Sequence, residues 1–259
     1  SEDGAIYLAN IMSKGSEDSV FMMMDTIGQV GETFADSTLA LEVFSSMADD
    51  ESFDDMDFGD EGQDLFDDMM EDAVYSAAYS DDGAMMLGNM MANGSEESMG
   101  MMMSTISMVG ETDPNSTLAL EVLSSMAEND YLDDMDFGDE GQDLFDDMME
   151  DAVYAAAYSD DGAEMLGNMM ANSDADAVGT MLDYITDVSE NDPNSSFAAE
   201  VLSTVASAGT MDDTYFDAET MDQIYEFVET IAYTDTEISD DELMYDGNGF
   251  SMSPPYYHQ

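Results

Sequence analysis

The feature that most constrains the fold of this 259-residue chain is an internal repetition with a period of 79 residues. The tripeptide Asp-Gly-Ala begins at Asp3, at Asp82 and at Asp161, and no gap interrupts the register between these points. Residues 54–84 match residues 133–163 with a single substitution. Self-similarity at a fixed period predicts a repeat array, in which each unit buries its apolar surface against its neighbours.

The period divides the sequence into predicted segments. Two near-identical helical units, 1–81 and 82–160, precede a divergent third unit, 161–239, and a C-terminal tail, 240–259. We expect the third unit to act as a cap, because the terminal unit of an array lacks one neighbour. No linker rich in Pro, Gly or Ser separates the units, which favours continuous packing from one unit to the next.

Capping residues and apolar periodicity predict four helices in each 79-residue unit. In the first unit, Asp3 is the predicted N-cap of the first helix, and the second helix follows Ser16. The third helix follows Asp36, whose counterpart Asn115 is also a predicted N-cap. The fourth covers residues 65–78, where an apolar stripe opposes an acidic one. The expected fold is therefore all-α, either an α-solenoid, which the missing linkers favour, or a row of small helical bundles.

The charge balance excludes several classes of partner. The chain has 63 acidic residues but only one Lys or Arg, Lys14, and its formal net charge is -62 at pH 7. Nucleic acids and anionic membranes need basic patches, so we expect neither as a partner. Membrane insertion is also not expected, since no apolar run has the length of a membrane span. Divalent cations, a basic protein or further copies of the chain are the partners left open, and cations or protons would relieve the self-repulsion.

A long acidic loop between the predicted third and fourth helices supplies candidate metal ligands. Ca²⁺ binds oxygen atoms of carboxylates and backbone carbonyls on flexible loops, so Ca²⁺ is the expected cation. The spacing does not match an EF-hand, and a solvated loop without a bound ion is the simpler alternative. The candidate ligands are Asp54, Asp55, Asp57, Asp60 and Glu61, and their counterparts Asp133, Asp134, Asp136, Asp139 and Glu140.

The other residue types give no support for catalysis or for a copper site. Thioethers suit Cu(I), but the repeats lack the accompanying His and Cys, so the 29 Met residues are interpreted as fillers of an adaptable core. Close carboxylate pairs arise by chance among so many acids. A serine hydrolase would lack its His, and a phosphate-binding site would lack both its glycine loop and the Lys of that loop. We therefore expect no enzymatic activity.

The last ten residues differ from the repeats because they are aromatic, contain Pro and carry almost no charge. They include a Pro-Pro-x-Tyr sequence of the kind that WW domains bind, although matches of this length are common by chance. We predict that this tail docks onto a neighbouring subunit. The candidate assembly residues are Phe250, Pro254, Pro255, Tyr256 and Tyr257.

These patterns favour a non-enzymatic, self-assembling structural protein, such as a filament, sheath or surface-layer subunit, located outside the cell or at its surface. An array gains surface from every copied unit, whereas an active site gains little from copying. Carboxylates crowded by like charges have raised pKa values, so low pH or divalent cations should favour the assembled state. The alternatives are a low-affinity Ca²⁺-binding or buffering repeat protein and a halophilic or basic-partner-binding scaffold.

Overall fold

A computed structural model describes eleven helices and two short strands within the residue ranges given below. Within the described residues the protein is helical, which confirms the all-α prediction, apart from one antiparallel hairpin. The described residues are 2–34, 37–49, 59–80, 82–113, 116–129, 138–173, 175–191, 196–208, 224, 228, 243–245 and 250–252.

The helices and strands in these ranges follow one another in the order α1 to α11, β1 and β2. Their bounds are α1 Glu2–Met12, α2 Glu17–Thr33, α3 Leu39–Asp49, α4 Gly59–Ala77, α5 Gly83–Ala92, α6 Glu96–Thr112, α7 Leu118–Glu128, α8 Gly138–Tyr158, α9 Gly162–Ala171, α10 Ala175–Asn191, α11 Phe197–Ala208, β1 Leu243–Tyr245 and β2 Phe250–Met252.

Some helix starts differ from those that the sequence predicts. Helix α2 begins after its N-cap Ser16, as predicted. Helix α1 contains Asp3 instead of starting after it, so Asp3 is not an N-cap. Helix α4 begins at Gly59, which places Asp60 and Glu61 in its first turn and not in a loop. Acidic residues are favourable in a first turn because the N-terminal end of a helix carries a partial positive charge.

The third predicted helix of each unit starts with a hydroxyl–carboxylate pair. Thr117 is the N-cap of α7, so the prediction of Asn115 at that position is wrong. The Thr117 hydroxyl donates to Glu121 Oε1 at 2.5 Å, and Thr38 donates to Glu42 in the same way at 2.9 Å. Each pair ties the residue before the helix to its first turn, which fixes where the helix begins.

The chain divides into two compact units, Ser1–Ala152 and Val153–Gln259. In the first unit the helices pack in two rows. Helices α1, α3, α5 and α7 contact one another in that order, and α2, α4 and α6 do the same. Each helix from α1 to α6 also contacts the next one along the chain, so the two rows pack against each other.

Methionine and aromatic side chains fill the space between the rows. The rings of Phe44 and Phe66 meet edge to face, with centroids 5.1 Å apart and an interplanar angle of 61°. Each buried side chain of this size contributes roughly 1.5–3 kcal/mol through removal of apolar surface from water. The fully buried Met residues of this unit include Met12, Met24, Met47, Met69, Met70, Met90, Met91, Met102 and Met103, which agrees with their interpretation as core fillers.

In the second unit, α9 packs closely on α11, and α10 contacts both helices. A Cβ atom on Gly167 would lie 2.5 Å from Thr204 Cβ, so this contact requires a glycine. Strand β2 packs on α11 and pairs with β1 in the register Leu243 to Met252. The hairpin was not predicted, because each strand is only three residues long and gives little periodicity to detect.

Candidate functional site

Most of the predicted metal ligands lie outside the described residues. These are Asp54, Asp55, Asp57, Asp133, Asp134 and Asp136. The backbones of Asp60 and Glu61 lie in the first turn of α4, and those of Asp139 and Glu140 lie in the first turn of α8. Among the residues that the structure describes, no group of three or more His, Cys, Asp or Glu side chains could hold a metal ion. The Ca²⁺ site thus stays a prediction.

The predicted assembly tail is described only in part. Phe250 is the first residue of β2, where its backbone pairs with that of Tyr245 in β1. Pro254, Pro255 and residues 256–257 lie outside the described residues. The docking of this segment onto a neighbouring subunit stays a prediction.

The first candidate for a functional group among the described residues is the carboxylate of Asp67, which lies on α4 where this helix contacts α6. Partial burial raises the pKa of Asp67, and the negative charge of Glu97 on α6 raises it further. The side chains of Asp64 and Asp68 act in the same direction. The amide of Gln63 opposes them, because its Nε2 donates to Asp67 Oδ1 at 2.9 Å and stabilises the ionised form.

A second carboxylate lies at the contact between α6 and α8, within the first compact unit. Burial is again the main cause that raises the pKa of Asp151, and a hydrogen bond from Ser107 lowers it. The charges of Glu150, Asp147 and Glu111 raise it further, in that order. The Asp151 carboxylate therefore binds a proton more tightly in the folded protein than in the unfolded chain.

Glycines on α6 and α2 lie opposite Asp151 and its counterpart Asp72 on α4. A Cβ atom on Gly110 of α6 would lie 3.5 Å from Asp151 Oδ2. At the positions 79 residues earlier, a Cβ atom on Gly31 of α2 would lie 2.9 Å from Asp72 Oδ2. Both pairs combine an Asp on an even-numbered helix with a Gly on the even-numbered helix before it. The same pairing therefore occurs at two helix–helix contacts, and it is close enough to exclude a Cβ atom without a shift of the Asp side chain only at Gly31.

In this arrangement, helix packing and the protonation state of the carboxylates depend on each other. The charge of Glu97 on α6 acts on Asp67, and that of Glu111 on α6 acts on Asp151, so like charges repel across helix contacts. The chain has one Lys or Arg, Lys14, and it donates to Asn10 Oδ1 at 3.1 Å. Protons or mobile cations must therefore relieve most of this repulsion.

A polar cleft between α1, α3 and α5 is the third candidate functional site. Its volume is about 600 Å³, and hydroxyl, amide and carboxylate groups line it together with apolar side chains. The absence of a basic side chain in this lining disfavours an anionic ligand. The lining residues are Ala5, Ile6, Asn10, Thr38, Glu42, Ser45, Ser46, Ser80, Asp82, Met85 and Met86.

Sequence reasoning found neither the carboxylate–glycine pairs nor the cleft. It placed the functional carboxylates in the acidic loops, whereas the perturbed carboxylates of the described residues lie on α4 and α8. One signal could have pointed to them. Gly31 and Gly110 recur at the 79-residue period, and so do Asp72 and Asp151, although a period alone does not say that these residues meet.

Comparisons with protein families, curated proteins and solved structures return no match. Among the described helices, none is long and apolar enough to cross a membrane.

Proposed function

We propose that this chain is a non-enzymatic, hyperacidic structural protein that self-assembles into a filament, sheath or surface layer, outside the cell or at its surface. Low pH or divalent cations, with Ca²⁺ as the candidate, favour its assembly. The observation that carries this proposal is the partial burial of two carboxylates at helix–helix contacts, where the negative charge of Glu97 acts on Asp67 and that of Glu111 acts on Asp151. Such contacts disfavour compact packing when every carboxylate is ionised.

The architecture that we propose for this function is a three-unit α-solenoid with a period of 79 residues. Helix starts support it, because Glu17, Glu96 and Ala175 begin α2, α6 and α10 at this spacing. The two rows of helices in the first compact unit also support it, since each row extends by one helix at a time. An array of this kind presents a long surface for assembly.

Cations act on this surface in two ways. They screen the negative charge of the whole chain, which lowers the repulsion between copies. The acidic loops, if they chelate Ca²⁺ through Asp57, Asp136 and their neighbours, also bind the ion specifically. Both effects stabilise the assembled state, because ions that bind it more tightly than the free chain shift the equilibrium towards it.

Calorimetry combined with sedimentation velocity tests this proposal. Ca²⁺ is titrated into the full chain at neutral pH, and the sedimentation coefficient is measured at each ratio. We expect heat of binding together with a growing sedimentation coefficient. Stoichiometric binding without any change in sedimentation would instead support Ca²⁺ buffering. A series in monovalent salt provides the control, because a halophilic scaffold responds to ionic strength and not to Ca²⁺ in particular.

A further inference from the structure

The polar cleft between α1, α3 and α5 has the size of a binding site for a small molecule. Its volume is about 600 Å³, and sites for small organic ligands have volumes of roughly 300–1,000 Å³. The described residues that line it all belong to the first compact unit. Small side chains form part of its wall and leave this space open. They are Ala5, Ser45, Ser46 and Ser80.

Two carboxylates give the cleft its negative charge. Glu42 is held at the start of α3, because its Oε1 accepts a hydrogen bond from the Thr38 hydroxyl at 2.9 Å. Asp82 is the N-cap of α5, but its side chain makes no capping hydrogen bond, and the residue is exposed. The helix that follows Asp82 therefore does not use this carboxylate, which leaves it accessible to a ligand in the cleft.

Exposed apolar side chains line the same cleft. Ile6 of α1 is 43 % exposed and Met85 of α5 is 56 % exposed, and Met86 lies next to Met85 in the lining. Thioether side chains are flexible and polarizable, so they adapt to apolar groups of different shapes. The cleft thus offers negative charge and apolar contact to one ligand.

The ammonium group of the chain itself lies at this cleft. Lys14 Nζ donates a hydrogen bond to Asn10 Oδ1 at 3.1 Å, and Asn10 is one of the lining residues. An ammonium group therefore already bonds to a polar side chain of the wall. The surroundings of the cleft are compatible with a bound organic ammonium ion.

Other classes of ligand fit this wall less well. The described lining residues include no Arg, Lys or His, which disfavours an anion. Within the described ranges, no group of three or more His, Cys, Asp or Glu side chains could hold a metal ion. A neutral ligand would remove water from the carboxylates without supplying a counter-charge. An organic cation is the class that uses both the carboxylates and the apolar side chains.

We propose that this cleft binds a small organic cation, which consists of an ammonium group attached to an apolar body. The ammonium group contacts the Asp82 carboxylate, and the charge of Glu42 adds to the negative potential of the site. The apolar body packs on Ile6, Met85 and Met86. The net charge of the whole chain raises the local concentration of such a cation. This binding does not depend on the proposed self-assembly.

Calorimetry with a pair of matched ligands tests the proposal in the full chain. The probe is phenethylammonium, and the control ligand is phenethyl alcohol, which keeps the apolar body but lacks the charge. Each is titrated at neutral pH with EDTA and at physiological ionic strength, where the general attraction of the chain for cations is screened. We expect saturable binding of phenethylammonium and much weaker binding of phenethyl alcohol. No saturable binding of phenethylammonium, or equal binding of the two ligands, would overturn the proposal.

A pair of matched variants separates the cleft from the net charge. Asp82→Asn removes the accessible carboxylate and keeps a residue that is favourable at an N-cap, so the fold should be unaffected. Asp64→Asn removes the same charge from an exposed position of α4 outside the lining. We expect Asp82→Asn to bind phenethylammonium about tenfold more weakly and Asp64→Asn to bind it like the wild type. Equal affinities of the two variants would contradict binding in the cleft.

Methyl signals of the Met residues in NMR spectra give a readout that reports the place of binding. The Met85 signal is identified by its loss in Met85→Gln, a substitution at an exposed position. We expect phenethylammonium to shift the signals of Met85 and Met86. The signal of Met108, which is exposed on α6 and outside the lining, should stay unchanged. Unchanged signals of Met85 and Met86 at a saturating concentration would place the ligand elsewhere and overturn the proposal.

Discussion

Ile11 and Met90 lie 79 positions apart at equivalent points of α1 and α5, yet Ile11 is 51 % exposed and Met90 is fully buried. The apolar character of the position is the same in both helices, and the packing around it differs. Equivalent positions of the 79-residue period thus differ in exposure, so the period alone does not decide which side chains are buried.

Replacing Asp151 by Asn should stabilise the protein at neutral pH. Burial raises the pKa of Asp151 above its usual value of 3.8, so the folded state binds this proton more tightly than the unfolded chain does. The free energy of unfolding therefore rises as the pH falls through the folded-state pKa towards 3.8, and the ionised carboxylate is destabilising above that window. Since the group keeps partial access to solvent, we expect a gain below about 1 kcal/mol.

Thermal melts followed by circular dichroism from neutral pH to about pH 4 check this prediction. The difference between wild type and Asp151→Asn should shrink as the pH falls. Asp143→Asn is the matched control, because it removes the same charge from an exposed position of the same helix. A gain for Asp143→Asn equal to that for Asp151→Asn would attribute the effect to net charge alone.

Adding a methyl group at Gly167 should be far more damaging than adding one at Gly88. A Cβ atom on Gly167 would lie 2.5 Å from Thr204 Cβ and 2.9 Å from the Val201 carbonyl oxygen, and neither can move aside. On Gly88 the nearest atom is Met126 Cγ at 3.2 Å, which belongs to a flexible side chain.

We expect the Ala substitution at Gly167 to destabilise the protein by about 1–3 kcal/mol. At Gly88, the higher helix propensity of Ala offsets the tighter packing, so the change should stay within about 1 kcal/mol of zero. Urea unfolding of the two variants measures both values. Similar losses at the two positions would show that α9 and α11 do not pack as closely as described.

The edge-to-face pair of Phe44 and Phe66 anchors the contact between α3 and α4. Phe44→Ala should lower the free energy of unfolding by about 3–5 kcal/mol, because it leaves a cavity in a closely packed core. Phe34→Ala is the control, since Phe34 is exposed, and it should change stability by less than about 0.5 kcal/mol. Denaturant unfolding of both variants measures the two changes in the free energy of unfolding. A loss at Phe44 as small as that at Phe34 would contradict the burial of Phe44 in the core.

The acidic loops should account for specific Ca²⁺ binding. Asp55→Asn with Asp57→Asn removes two candidate ligands from the first loop, so we expect calorimetry to report fewer bound ions per chain or a weaker affinity. Asp64→Asn with Asp68→Asn removes two exposed carboxylates from α4 and should leave both values unchanged. Equal effects of the two double variants would indicate a diffuse ion atmosphere instead of a chelating loop.

The helices were the most predictable part of the fold. The apolar stripe of residues 65–78 predicted α4 because it repeats with helical spacing, and Ser16 marked the start of α2. The first turn of α4 was missed since its acidic residues resemble a solvated loop in sequence. Thr117 was missed as an N-cap because Asn is the more common N-cap residue and Asn115 lies just before it. In the structure α7 starts after Thr117, whose hydroxyl donates to Glu121.

The candidate sites were less predictable, because they depend on contacts between residues far apart in the chain. Nothing local to Asp151 indicates that Gly110 lies opposite it. Likewise, nothing local to Ile11 and Met90 indicates that the first is 51 % exposed and the second fully buried. A periodic sequence predicts which residues are equivalent, whereas packing decides which of them are covered.

Electron microscopy of the purified wild-type protein tests the central claim most directly. Grids are prepared at neutral pH with EDTA, at neutral pH with Ca²⁺, and at mildly acidic pH. We predict dispersed small particles in EDTA, and filaments or sheets once Ca²⁺ or protons neutralise the carboxylates. Dispersed particles of one size under all three conditions would contradict cation- and proton-favoured self-assembly.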